Sequence, residues 1–175
     1  TPEATSLTTR CGGLVAVNDL TLSLGQGEIV GLLGPNGSGK STVLNLISGA
    51  LPATSGEIRL DGERITGRPA HRIAKRGVSR TFQLVRLMPS LKVRENVLLA
   101  LAFGQTPVTG SEALDRADAA LGRVGLAGQG DCAVGDLNYI DQKRLELARA
   151  ISTEPRLLLL DEWMAGLNPT ELREA

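Results

Sequence analysis

Two short runs in this chain carry residue types suited to handling a phosphate. Gly34-Pro35-Asn36-Gly37-Ser38-Gly39-Lys40-Ser41 fits G-x-x-x-x-G-K-[ST] and is followed by Thr42. Glycines let such a loop curl until successive N–H groups point at one anion, and the helix start behind it adds a positive dipole end. Lys40 is placed to reach β- and γ-phosphates, and the Ser41 hydroxyl to take a position on Mg²⁺. Gly34, Asn36, Gly37, Ser38, Gly39, Lys40, Ser41 and Thr42 are therefore candidate residues for binding a nucleoside triphosphate. The second run is Arg156-Leu157-Leu158-Leu159-Leu160-Asp161-Glu162. Four leucines running into two acids is the pattern of a central parallel strand buried on both faces, and ligands of open α/β sheets sit at the carboxyl ends of such strands. The plain alternatives are a glycine-rich turn that only connects two elements and a core strand that happens to end in acids. The first is outweighed by the strand and helix expected on either side of the loop, the second by the loop itself.

Those expected elements begin with Glu28-Ile29-Val30-Gly31-Leu32-Leu33, a short buried strand leading into the loop, and Val43-Leu44-Asn45-Leu46-Ile47, a helix leading out of it. The helix, residues 40–49, stops at Gly49 with Pro52 beyond. Upstream, 14–17 and 20–24 read as short strands, the latter with the half-buried alternation of Leu20, Leu22 and Leu24. Glu57 to Leu60 with Asp61-Gly62 reads as a hairpin strand and its turn, 69–76 as a short basic helix closed by Gly77, and 78–82 as another strand ahead of Gln83. Helices are expected over 93–103 and 111–124, the second capped by Ser111 with Ala113, Leu114, Ala117, Leu121 and Val124 on its apolar side. Loops fill 104–110 and 125–136, and a last helix runs from Asn138 to Thr153 before Glu154-Pro155 ends it.

Composition bounds the rest. With 175 residues, 42% of them apolar, the chain suits one domain with a real core. The 21 glycines exceed the usual ~7% but show no period. A net charge of zero argues against a dedicated nucleic-acid binder. Cys11 and Cys132 make neither a disulfide framework nor a metal spacing, which points to a reducing compartment. No apolar run reaches the ~20 residues of a membrane span. From Arg64 to Arg94 there are nine Lys and Arg and no acid. Such a block is either a face meeting something anionic or membrane-proximal, or a solvated surface whose acids come from elsewhere in the chain.

The loop at 34–41, a lone glutamine at 83, a helix opening at 138 and the acids at 161–162 together resemble the ATP-binding cassette of ABC transporters, over nearly the whole chain. The strings 11–17 (CGGLVAV), His71-Arg72-Ile73-Ala74, Arg80-Thr81-Phe82-Gln83 and Ala165-Gly166-Leu167-Asn168-Pro169 are similar to the branched-chain amino acid importer subfamily. The resemblance implies an α/β fold: a P-loop core (about 1–83 and 157–175) with an antiparallel β part and a helical insertion (about 84–156), all one domain. It assigns phosphates to the loop and Mg²⁺ to Ser41, Gln83 and Asp161. Glu162 matches the general base that polarises the attacking water, a role typically worth ~10²–10⁴ in rate, and Gln83 matches the glutamine that touches Mg²⁺ or the attacking water and senses the membrane subunit. Residues 166–169 match the loop that meets a second cassette. His71, the only histidine, falls in the subfamily string and reads as structural.

Four departures qualify that resemblance. The family's adenine-stacking aromatic before Gly12 is here Cys11, and no aromatic precedes Phe82. Stacking is worth ~1–3 kcal/mol per base in single-strand binders, so weaker nucleotide affinity is expected. The signature, usually Leu-Ser-x-Gly-Gln, reads Leu137-Asn138-Tyr139-Ile140-Asp141, with Gln142 next. Asn138 still suits a helix cap, but Ile140 stands where glycine permits close approach, and Asp141 puts an anion where a partner's phosphate should dock. The site completed by 138–142 is expected to be weak or dead. The proline after the general base is Trp163, whose indole is expected either to pack in a dimer interface or to shift the loop. The family's switch histidine would lie beyond Ala175.

The expected function is the ATP-binding and ATP-hydrolysing subunit of a solute importer, with ATP and Mg²⁺ as ligands, a second cassette and transmembrane permease subunits as partners, and a peripheral place on the cytoplasmic membrane face. No nucleic acid is expected. The alternative is a nucleotide-binding module that does not hydrolyse and pairs with a consensus cassette. A P-loop kinase or GTPase is weaker still, since the sequence holds no guanine-reading or acceptor-site motif.

Overall fold

The computed structural model describes residues 1–163, together with every side chain in that range except that of Cys11. The backbone gathers into two compact units, Thr1–Ile73 and a second beginning at Ala74.

The first unit is built on β1 (Pro2–Cys11), β2 (Leu14–Ser23), β3 (Ser55–Leu60) and β4 (Glu63–Arg64), an antiparallel sheet in the order β2-β1-β3-β4. Proline opens β1, where its missing N–H costs no ladder bond. The two expected strands at 14–17 and 20–24 are one strand, broken by register shifts against β1. At two of these irregularities the chain takes positive φ at Ser6 and Asp19. Their N–H groups leave the ladder and are satisfied by hydroxyls, Ser6 donating to Thr21 Oγ1 at 3.0 Å and Asp19 to Thr8 Oγ1 at 3.0 Å. Two helices complete the unit, α1 (Lys40–Ile47) and α2 (Ala70–Ala74). Ala4, Leu7, Ile58, Leu60, Val43, Leu46 and Ile73 are buried from these elements.

The strand expected at 28–33 is absent. Ile29 and Leu33 are 97% and 96% exposed, and residues 24–39 run without regular structure. An apolar run states a preference for burial, but a strand also needs a neighbour to take its N–H and C=O groups; among the described residues none pairs with it.

The second unit holds a parallel pair, β5 (Val78–Arg80) and β6 (Leu157–Leu159), in the register Val78 to Leu157 and Arg80 to Leu159. Leu157 and Leu159 are buried, but Leu158 is only partly so and Leu160 is 47% exposed. The strand expected to be central and buried on both faces has one hydrogen-bonded neighbour among the described residues and is well covered on one face. Three helices, α3 (Val93–Phe103), α4 (Gly110–Arg123) and α5 (Tyr139–Ser152), enclose one core of Val93, Val97, Leu101, Ala117, Leu121 and Leu145. Emptying such a site, as in Leu145→Ala, typically costs about 2–5 kcal/mol. Helix α4 starts one residue earlier than expected, with Thr109 and not Ser111 at its cap position. Leu114 is 45% exposed rather than on the apolar side; Ala113, Ala117, Ala120 and Leu121 define that side on their own. A 3₁₀ turn at Val134–Asp136 interrupts the loop expected over 125–136.

Candidate functional site

The phosphate-loop motif curls as its glycines allow. Gly37 and Gly39 take φ of +81° and +92°, a region that only glycine enters freely. At Gly39 a Cβ would also lie 2.5 Å from the Ala16 carbonyl oxygen, so no other residue fits. Ser38 N–H closes a turn onto Pro35 O at 3.2 Å. The Lys40 ammonium folds back and donates to Gly34 O at 2.8 Å and Pro35 O at 2.9 Å. Helix α1 then begins with Gly39 at its cap, no side-chain capping bond and no acid in its first turn. Its first turn therefore offers no negative charge against the dipole, which suits an incoming phosphate; the ammonium needs only to turn from two carbonyls to phosphate oxygens.

The acids after β6 separate in environment. Asp161 is 6% exposed and pairs with Arg80, whose Nη2 lies 2.7 Å from Asp161 Oδ2. Both groups are buried, so this pair is desolvated and its loss would cost more than that of a surface ion pair. Glu162 is exposed, sits at φ +46°, and accepts a hydrogen bond from Gln83 Nε2 to its Oε2 at 2.8 Å. A non-glycine residue held in the left-handed region costs of order 1–3 kcal/mol, and such outliers gather at functional sites. The two residues expected to handle the attacking water, 79 positions apart, thus meet.

The start of α5 behaves as a helix end already filled. Asn138 caps it, its Oδ1 accepting from Asp141 N–H at 2.9 Å, while its Nδ2 donates to Asp141 Oδ2 at 2.8 Å. Arg144 Nη1 holds the other carboxylate oxygen at 3.2 Å. Gln142 turns back to donate to Leu137 O at 3.1 Å. Tyr139 is half-exposed and Ile140 partly buried.

Further along α5, Lys143 and Glu146 are 1% and 4% exposed. Burial raises the Glu146 carboxyl above its ordinary range, against the N–H groups of Arg86 and Phe82 and the charges of Arg149 and Lys143. Burial likewise lowers Arg149, which Glu146 partly offsets. Trp163 does not lie open for an interface: it is 9% exposed and donates its indole N–H to Lys143 O at 3.3 Å. Neither Arg80 as the partner of Asp161 nor the inward-facing Glu146 was singled out from the sequence. The available signal was the spacing Lys143, Glu146, Arg149, three residues apart on a helix. Of the basic block, Arg64, Arg68, Arg80 and Arg94 find carboxylate partners, in line with acids supplied from elsewhere in the chain. The string 165–169 and the side chain of Cys11 lie outside what is described.

With this geometry in place, comparison with known proteins is direct. The sequence matches the ABC transporter family over residues 17–165. It is 43% identical, over 97% of its length and 71% of the relative's, to the high-affinity branched-chain amino acid transport ATP-binding protein BraF of Pseudomonas aeruginosa. It is 46% identical, over 94% of its length and 70% of the relative's, to the corresponding protein LivG of Salmonella typhimurium. Among solved structures, the ADP conformation of the ATP-binding cassette MJ1267 overlays with a TM-score of 0.87 at 27% identity, covering 99% of this chain and 72% of that one. The dimeric cassette MJ0796 bound to ADP and Pi overlays at 0.85 and 27%, covering 99% and 79%. The fold is accordingly that of an α/β P-loop ATPase cassette, and the chain belongs to the ABC transporter family.

Proposed function

We propose that this chain is the ATP-binding and ATP-hydrolysing subunit of an importer for branched-chain amino acids. The observation that carries hydrolysis is the Gln83–Glu162 hydrogen bond at 2.8 Å, which holds a carboxylate and a carboxamide together at the end of β6. The solute class rests on the likeness to BraF and LivG.

In this reading Lys40 and the amides of 34–42 bind the β- and γ-phosphates. Glu162 takes the proton of the attacking water while Gln83 orients both. Of the residues assigned to Mg²⁺, Ser41 offers a hydroxyl, Gln83 a carbonyl and Asp161 a buried carboxylate, an all-oxygen set that suits this hard cation. Bound there, Mg²⁺ would neutralise charge on the transferring phosphoryl group. Asp161 is meanwhile held by Arg80.

The division into a nucleotide-binding core (1–83 and 157–175) and a helical insertion (84–156) belongs to the same reading, supported by the core that α3, α4 and α5 share. So do the partners: a second cassette and transmembrane permease subunits, with the chain peripheral on the cytoplasmic face. No helix among the described residues is long and apolar enough to cross a membrane. The N-terminus of α5, carrying the Asp141 carboxylate, would complete a partner's ATP site only weakly.

Phosphate release from Mg·ATP tests the whole, for the chain alone and mixed with a cassette whose signature is intact, with Glu162→Gln and Lys40→Ala as controls. Turnover that appears in the mixture and is lost in both variants is expected. ATP binding through Lys40 without turnover under either condition would make the chain a binding module and overturn the enzymatic reading.

A further inference from the structure

We propose that Glu146 on α5 is a positioning residue: it fixes the segment Phe82–Arg86 and thereby aims Gln83 at Glu162. Its Oε1 accepts from Phe82 N–H at 3.4 Å and from Arg86 N–H at 3.3 Å. Each contact is long, as expected when one oxygen serves two donors, and the acceptor is a buried carboxyl group. One turn along, Arg149 Nη1 donates to the Arg86 carbonyl. Glu146 and Arg149 therefore grip the same residue by its N–H and its C=O. The Arg86 guanidinium lies 4.2 Å from the centre of the Phe82 ring, with Arg80 at 5.1 Å, so the two ends of the gripped segment are also stacked on each other.

The same stretch of α5 holds the other side of the site. Lys143 O accepts the Trp163 indole N–H, next to Glu162 in sequence. Residues 143–149 thus fasten both loops whose side chains meet at the 2.8 Å hydrogen bond between Gln83 and Glu162. A buried glutamate whose second oxygen finds no hydrogen-bond partner among the described residues is costly to keep for packing alone. Two backbone donors of a loop without regular structure account for it. This inference rests on the proposed hydrolysis only for its catalytic consequence; the grip itself is independent of it.

The test uses the full chain, with Glu146→Met, which keeps the bulk and removes the acceptor, and Glu146→Gln, which keeps an acceptor oxygen. Amide exchange followed by NMR is expected to quicken about 10-fold or more at Phe82 and Arg86 in the methionine variant, with α5 still protected. In the mixture with an intact-signature cassette, kcat is expected to fall about 10-fold with KM for ATP little changed, since the phosphate-binding residues 34–42 are untouched. The glutamine variant should stay near wild type in both. Unchanged exchange at Phe82 and Arg86 in Glu146→Met, or a glutamine variant as damaged as the methionine one, would overturn the proposal. If the methionine variant does not fold, the glutamine variant decides: wild-type exchange and kcat support an acceptor role, and loss of both overturns it. Altered exchange in a chain that never hydrolyses ATP would support the grip and remove the hydrolysis reading instead.

Discussion

Helices α1 and α5 begin under the same physics and end up opposite. Every helix start leaves backbone N–H groups unpaired and a partial positive charge. At α1 the cap is Gly39, with no side-chain bond and no acid in the first turn, so that turn supplies nothing to quench the charge. At α5 the cap is Asn138, its amide and carbonyl both engage Asp141, and Arg144 locks the carboxylate in place. One end is left open to an anion; the other carries its own. Two helix starts can thus share a dipole and differ in function through three or four side chains.

Lys40→Ala is the strongest way to break that contrast. It removes a cation from the open end, and Mg·ATP affinity measured by titration should fall about 10- to 100-fold, the range for one charge-assisted hydrogen bond. Gly39→Ala attacks the same end through the backbone. With φ at +92° and the Ala16 carbonyl 2.5 Å from a new Cβ, it should cost at least about 1–3 kcal/mol in denaturant unfolding and weaken nucleotide binding as well. At the filled end Asn138→Ala should cost about 1 kcal/mol of stability, the usual value of a lost cap, with this chain's own ATP affinity unchanged. Asp141→Asn is smaller, about 0.3–1 kcal/mol lost from the dipole term, but it sharpens the contrast most. If α5 is blocked by its own anion, this variant should raise turnover at the partner's phosphate loop in the mixed assay; no rise would place the defect at Ile140 instead.

The smallest effect concerns pH. Burial raises the Glu146 carboxyl, so the native state binds its proton more tightly than the unfolded chain does. Its contribution to stability is fully present below the unfolded value of about 4.3 and is lost as pH rises through the raised folded value. Relative to Glu146→Gln, the wild type should therefore lose stability between acid and neutral pH, by an amount that parallel thermal melts would read.

Much of this is written in local sequence. The loop at 34–42, the acids after a leucine strand and the cap at Asn138 are local patterns, each set by residues a few positions apart. So are the helices α3, α4 and α5, whose period and end signals lie within themselves, although Leu114 and Ser111 show how a cap or face shifts by a residue or two. The strand at 28–33 failed because its apolar run encodes a wish for burial and not the partner that would grant it. β1 has weak local signal, since Leu7 is the one large aliphatic residue in Pro2–Cys11; its pairing with both β2 and β3 makes it a strand.

What only the tertiary structure decided is which distant residues meet. Gln83 and Glu162, Arg80 and Asp161, and Glu146 with Phe82 and Arg86 stand 60 to 81 positions apart, and no periodicity relates them. The sequence determined the chemistry each can perform: an ammonium in a glycine loop, a carboxylate at a strand end, a carboxamide beside it. Their assembly depends on β5 and β6 pairing in parallel and on α5 returning to present Glu146, Arg149 and the Lys143 carbonyl. Those are long-range contacts, fixed by burial and hydrogen-bond satisfaction summed over the fold rather than by any neighbouring residue.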